Sequence, residues 1–209
     1  NQISNTVGVL LNAGSGTFNA QTTYPVSSSP VPVAVADVNS DNKPDIIYAS
    51  YASNNTGVLL NTGTGTFNAQ TTYPVGTNPG AVAVVDVNND SKPDIIVANQ
   101  GSNTVGVLLN TGNGTFNAQV TYPANGTPTS AVVVDVNSDS KPDIIVANQG
   151  SATIGVLLNT GSGTFATQIA YAVGTSPNSL AVVDVNSDNK PDIIVANSDS
   201  NTISVLLHC

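Results

Sequence analysis

The chain repeats itself every 49 residues. Loops that open with aspartate begin at Asp37, Asp86, Asp135 and Asp184, each 49 residues after the last. Phe18, Phe67, Phe116 and Phe165 keep the same step, as do Tyr24, Tyr73, Tyr122 and Tyr171. The ends obey it too: "NQISNTVGVLL" at residue 1 returns as "NSDSNTISVLL" at residue 197. Residues 1–209 thus read as one tandem-repeat domain of four full repeats, with residues 197–209 repeating 1–13. A period of this length points to propeller blades or solenoid units, whose apolar faces are buried only when neighbours stack.

Each unit holds four short apolar runs, for example "GAVAVVDV", "PDIIVAN", "TVGVLLN" and "NAQVTYP". They are rich in β-branched residues and bounded by Gly, Pro, Asn or Ser, which is strand punctuation; none shows helical spacing. "NTGTGTF" (61–67) supplies Gly63 and Gly65 for a tight hairpin that needs positive φ. The expected fold is all-β: a β-propeller of four-stranded antiparallel blades. Cut this way, the chain opens with the last two strands of one blade and ends with the first three of another. Joining them predicts ring closure across the termini, with one strand to spare.

Charge is concentrated, and that concentration is the strongest functional signal. Glu and Arg are absent, and twelve of the thirteen aspartates lie in four nine-residue loops, 37–45, 86–94, 135–143 and 184–192. All four lysines lie there too, and only Asp199 falls outside. A solvated surface scatters charges of both signs. With no basic patch to neutralise phosphates, nucleic-acid binding is disfavoured. No apolar stretch approaches the ~20 residues of a membrane helix, so no membrane insertion is expected. A basic start followed by an apolar core is also missing, so any secretion signal is expected to have been removed already.

Each loop offers side-chain oxygen at positions one, three, five and nine. These are Asp37, Asn39, Asp41 and Asp45; Asp86, Asn88, Asp90 and Asp94; Asp135, Asn137, Asp139 and Asp143; and Asp184, Asn186, Asp188 and Asp192. Position seven, Lys43, Lys92, Lys141 or Lys190, offers its backbone carbonyl. Hard cations such as Ca²⁺ take six to eight oxygen ligands, and alternate positions of a curled loop converge on one side. An EF-hand needs a glutamate at position twelve between two helices, and this chain has neither. About four structural Ca²⁺ ions are therefore expected, and they would bring the formal charge from −9 to −1. The alternative is four acidic surface turns with no ion.

The D-x-N-x-D-x-x-x-D loop before an apolar strand, with "GTF" after a glycine turn, resembles FG-GAP (VCBS-type) repeats. Blades of this kind build integrin α-subunit propellers and some propeller lectins. The resemblance implies Ca²⁺ in the loop and an extracellular, adhesive domain. Two departures stand out. Family propellers usually have seven blades, and the usual glycine at position six is Asn42, Ser91, Ser140 or Asn189.

An enzyme is not expected. The single histidine, His208, stands beside the C-terminus, and no Ser-His-Asp or Cys-His pair can be assembled. The G-x-G pairs sit in hairpins with no following helix, so they are not phosphate cradles. Cys209 is the only cysteine, which excludes an internal disulfide. Blade-to-blade difference is clearest at "YASYAS" (48–53), where Tyr48 and Tyr51 replace Val and Gln or Ser. These two are candidate ligand contacts, against the alternative of a repacked strand. The recurrent Tyr24, Tyr73, Tyr122 and Tyr171 are assigned to inter-blade packing. Glycosylation sequons fall at Asn54, Asn113 and Asn125; a fourth, Asn89, lies inside an acidic loop. The expectation is a secreted or cell-surface, Ca²⁺-binding, non-enzymatic adhesion module for glycans or extracellular proteins. The alternative is a structural subunit that self-associates head to tail through strand pairing.

Overall fold

The computed structural model describes residues 1–208; Cys209 lies outside the described residues. Three complete blades follow one another, each an antiparallel sheet of four strands. Blade one comprises Pro30–Ala36, Asp45–Ser50, Asn55–Leu59 and Thr71–Pro74. Blade two comprises Pro79–Val85, Asp94–Asn99, Thr104–Leu108 and Val120–Pro123. Blade three comprises Pro128–Val134, Asp143–Asn148, Thr153–Leu157 and Ile169–Ala172. Between the third and outer strands of each blade stands a small hairpin. Its strands are Asn61–Gly63 with Thr66–Phe67, Asn110–Gly112 with Thr115–Phe116, and Asn159–Gly161 with Thr164–Phe165. The four runs read in each repeat are the four strands.

The ends are partial blades. Thr6–Val9 pairs with Thr22–Pro25 around a hairpin of Asn12–Gly14 and Thr17–Phe18. Pro177–Val183, Asp192–Asn197 and Thr202–Leu206 form a three-stranded sheet. Among the described residues no ladder joins these two sheets, so the expected closure across the termini is not seen. Each lies at its own end of the stack. The first strand of blade one packs on that of blade two, and Pro177–Val183 packs on that of blade three. Their free sides leave Val33, Val35 and Val183 more than half exposed.

The core lies between blades. One cluster joins Val87, Ile96 and Val107 of blade two to Ile144, Leu157 and Phe165 of blade three. Another joins Val38, Ile47 and Val58 of blade one to Ile95, Leu108 and Phe116 of blade two. Three of the four recurrent tyrosines pair across blade interfaces; Tyr171, expected to do the same, is 45% exposed because no hairpin phenylalanine stands against it among the described residues. Tyr24–Phe67, Tyr73–Phe116 and Tyr122–Phe165 meet edge to face with ring centroids 5.4, 5.4 and 5.5 Å apart. The second strands of the complete blades are buried on both faces, which is why "PDIIVAN" reads as continuous apolar sequence.

Polar bonds reinforce the stack. The Asn159 amide Nδ2 donates to the Val87 carbonyl of the preceding blade at 2.8 Å and to the Pro142 carbonyl at 3.0 Å. The equivalent Asn61 donates to Pro44 of its own blade. Replacing a buried bonded group strands its partners at about 1–3 kcal/mol each. Asn159→Ala should therefore lower the urea midpoint by an amount worth about 2–3 kcal/mol, and Asn61→Ala by clearly less. Equal losses would mean that the inter-blade bond adds nothing.

Candidate functional site

Each acidic loop joins the first and second strands of its blade, and its curl is written in side-chain to backbone bonds. In the first loop, Asp37 accepts the N–H groups of Asn39, Asp41 and Asn42 at 3.3, 3.2 and 2.7 Å. Asn39 Oδ1 accepts from Asp41 N at 3.2 Å, and Asp41 Oδ1 from Lys43 N at 2.9 Å. These are successive Asx turns, each tightening the chain by two residues. The same bonds recur from Asp86, Asn88 and Asp90, from Asp135, Asn137 and Asp139, and from Asp184, Asn186 and Asp188. Position one is the hub of every loop.

The turn geometry requires left-handed backbone at two places. Position six has φ of 62° at Asn42, 65° at Ser91, 65° at Ser140 and 65° at Asn189. The residues that replace glycine thus still adopt the conformation glycine would favour. Position four is left-handed as well, at Ser40, Asn89, Ser138 and Ser187. Position four carries no sequence signal of this beyond Ser or Asn in all four loops.

Position nine plays a second part that the spacing did not reveal. Asp45, Asp94, Asp143 and Asp192 are fully buried. Asp94 Oδ2 accepts from Val87 N at 3.0 Å, and Oδ1 accepts from Asn110 N at 2.7 Å. Asp45 and Asp143 make the same two bonds, to Val38 and Asn61 and to Val136 and Asn159. In the last loop His208 N fills the place of the asparagine, at 2.8 Å from Asp192. Each carboxylate closes its loop, and Asp45, Asp94 and Asp143 also hold the start of the following hairpin. Burial pushes Asp94 up to about 6, and Asp45 and Asp143 upward as well.

Position seven is a counter-charge. The Lys43, Lys92 and Lys141 ammonium groups pair with the position-five carboxylates at 3.1, 3.3 and 3.1 Å. The Lys43 bond holds Asp41 below the usual carboxylate range. In the last loop Asn186 Nδ2 bonds Asp188 instead, at 3.0 Å. In donor chemistry the loops fit a hard cation: anionic and amide oxygens dominate, and each bonded carboxylate oxygen keeps a further lone pair. Among the described residues, however, no three acidic, histidine or cysteine side chains gather on one point. In the first three loops lysine, not a shared focus, neutralises position five.

The other candidates divide. Tyr48 is fully buried against Val7, Val26, Ile46 and Leu59, so it cannot meet a ligand. The reason is its cross-strand partner: Gly57 leaves a hole that the ring fills. Its hydroxyl accepts from Ser27 N and donates to Gln70 Oε1. Tyr51 stays on the surface in the turn after the second strand, 38% exposed. Asn113 and Asn125 are exposed. Asn54 is half-buried, and its Oδ1 accepts from Asn78 N at 2.9 Å. Asn54 is thus tied to the entry of the next blade, as Asn5 and Asn103 are at theirs.

A family model described as FG-GAP-like repeat matches residues 2–48, 37–97, 86–146 and 135–195. No sequence among the curated proteins matches the chain. Among solved structures, the chain is similar to an Agrocybe aegerita lectin described as recognising non-reducing terminal N-acetylglucosamine. That likeness has 19% identity over 98% of this chain and 61% of that one, with a TM-score of 0.61. A putative 6-phosphogluconolactonase from Bacteroides uniformis gives 16%, 96%, 60% and 0.73 for the same quantities. Virginiamycin B lyase from Staphylococcus aureus gives 14%, 99%, 64% and 0.62. The chain spans less than two thirds of each, and at these identities the likeness speaks for the fold alone. Overlapping matches from residue 2 to residue 195, on stacked four-stranded blades with one acidic loop apiece, settle the kinship: the chain belongs to the FG-GAP-like repeat family and is a β-propeller repeat protein.

Proposed function

We propose that the chain is a Ca²⁺-stabilised, non-enzymatic binding module that works outside the cell, with glycans as its ligand class. The observation that carries the metal is the fourfold recurrence of one pre-curled, oxygen-rich loop. Asp37, Asn39, Asp41, the Lys43 carbonyl and Asp45, with their equivalents at each 49-residue step, would hold the ion. When bound, Ca²⁺ supplies positive charge that the three carboxylates of a loop lack. The lysine ammonium groups would have to leave position five. Equal sites in every blade suit a structural role, because a catalytic centre is normally unique. Extracellular modules bind Ca²⁺ at ~10⁻⁴–10⁻³ M, which suits the calcium outside cells.

Non-enzymatic action is supported by the setting of the single histidine, His208: its backbone N–H holds Asp192, and the residue borders a cavity walled mainly by apolar side chains. The glycan class rests on two supports. One is Tyr51, an exposed aromatic that blade one alone carries at this position. The other is the fold shared with a lectin.

Calcium titration should show about four sites per chain. At a concentration about tenfold above Kd each site adds about 1.4 kcal/mol. For a chain of this size that is about 2–4 °C of Tm per kcal/mol, so a chelator should lower Tm by more than about 10 °C. An unmoved Tm would end the calcium reading.

Acidity gives a separate check. A carboxyl whose folded pKa is raised favours the folded state below its unfolded pKa of 3.8, and that gain is lost as pH climbs through about 6. Chelated protein should thus melt higher at pH 5 than at pH 7.5. Because the ion competes with the Asp94 proton, calcium affinity should fall as pH drops below about 6.

On a glycan array with calcium present, the wild type should retain ligands that Tyr51→Ala loses by about tenfold or more. Its Tm should not change. An array without signal would remove the glycan class and leave the metal untouched.

A further inference from the structure

One side of the three-stranded C-terminal sheet carries an apolar cavity of about 470 Å³, walled by Val136, Leu158, Tyr171, Ile193 and Leu206. Subtracting 49 from each number gives Val87, Leu109, Tyr122, Ile144 and Leu157, the residues that enclose Phe165. Subtracting 49 again gives Val38, Leu60, Tyr73, Ile95 and Leu108, which enclose Phe116. The cavity is therefore the third copy of a phenylalanine socket, and no described residue fills it. Its Tyr171 is 45% exposed, whereas Phe116 and Phe165 keep the equivalent tyrosines covered.

The matching plug stands at the other end. Phe18 is the hairpin phenylalanine of the N-terminal partial blade, and it is 60% exposed against 8% for Phe116 and Phe165. Leu10 and Leu11 beside it are also exposed. We infer that the socket around Tyr171 takes Phe18 of a second copy of this chain, which makes a head-to-tail junction identical in kind to the blade interfaces inside one chain. The inference is independent of calcium and of any ligand.

Strand pairing gives the register. Thr202–Leu206 has no ladder on its outer edge among the described residues, and it repeats Thr6–Val9 at a distance of four periods. Thr6 now faces Pro25 and Val7 faces Tyr24. In the junction Thr202 faces Pro25 and Ile203 faces Tyr24 of the second copy, whose own Thr6–Val9 is released. The exchange replaces like with like, so its backbone bonds roughly cancel, and the burial of Phe18 and Tyr171 remains as the gain. One position differs: Ser204 stands for Gly8, and the flexible end of Gln21 must turn aside to admit it. Exchange at both ends closes two copies into a ring of eight four-stranded blades, within the usual range for propellers.

The test is the solution mass of the 209-residue chain with and without chelator, by light scattering and analytical ultracentrifugation. The wild type should run at twice 21.1 kDa in both conditions. Phe18→Ser and Tyr171→Ser should each raise the dissociation constant about tenfold or more and keep the monomer's circular dichroism, since both side chains are exposed before assembly. Mixing the two variants should restore much of the assembly, because one junction of the mixed pair keeps both aromatics. A wild type that stays monomeric at its highest soluble concentration overturns the inference. So does a Phe18→Ser variant that assembles as tightly as the wild type.

Discussion

A buried carboxylate joins the levels of this molecule. Asp94 ends an acidic loop and begins a central strand. One oxygen takes the Val87 N–H and closes the loop; the other takes the Asn110 N–H and anchors the hairpin that carries Phe116. Asn110 in turn donates to the Val38 carbonyl of the preceding blade at 2.9 Å. Loop, sheet and stack are thus coupled through one side chain, and the coupling recurs in blade three, where Asp143 holds Asn159 and Asn159 donates to Val87; in blade one Asn61 stays within its own blade. A buried carboxylate costs several kcal/mol unless paired, and two N–H donors offset that only in part. The remainder appears as the upward pKa, to which the charges of Asp90 and Asp86 also contribute. Positive charge set into the loop would relieve it, which is why the acidic loop and the buried aspartate belong to one physical problem.

The stacking explains why the repeats exist. No blade owns a core; each cluster draws its side chains from adjacent blades. Stability then sums over interfaces rather than over units, as in other repeat proteins. The gradient is visible in the second strands. Those of blades one to three are buried throughout, whereas Asp192–Asn197, with one neighbouring blade, is half-buried at Ile193 and Ile194 and exposed at Ala196. The free end is the weakest part of the stack, and local opening is expected to start there.

Periodicity was enough to place the strands, the hairpins and three of the four inter-blade tyrosines, because each depends on a local pattern that recurs; Tyr171 lacks the next hairpin that would cover it. What escaped it was contact across strands and blades. Tyr48 looks like a surface aromatic in a strand that elsewhere carries valine. Only the register with Gly57 shows the hole that buries it. The ninth aspartates look like further ligands, yet their acceptor bonds run to residues seven behind and sixteen ahead, beyond any local motif. Left-handed Ser40 and Thr64 were equally opaque, since neither residue type advertises positive φ as glycine does. Repetition announces the scaffold, and exceptions to it demand knowledge of what lies opposite.

Those exceptions gather in blade one. In blades two and three the glycine holes at Gly106 and Gly155 are filled by the amides of Gln119 and Gln168, whose buried atoms include some without partners. In blade one the Tyr48 ring fills the hole instead, and Ser27, Tyr48 and Gln70 satisfy one another. The strand then ends in Ser50 where its counterparts end in asparagine, and Tyr51 follows on the surface. A molecule built from near-identical units offers each face several times over, so a ligand that must be met once has to be met where the units differ. Blade one has both a repacked interior and an aromatic in the turn beyond it, where the Tyr51 N–H bonds the Ser29 carbonyl at 3.0 Å and the Tyr51 carbonyl accepts from Asn78 Nδ2 at 3.2 Å. A turn bonded at both its N–H and its carbonyl would lower the ordering cost of the binding proposed for Tyr51, and no other turn among the described residues joins a repacked interior to an exposed aromatic.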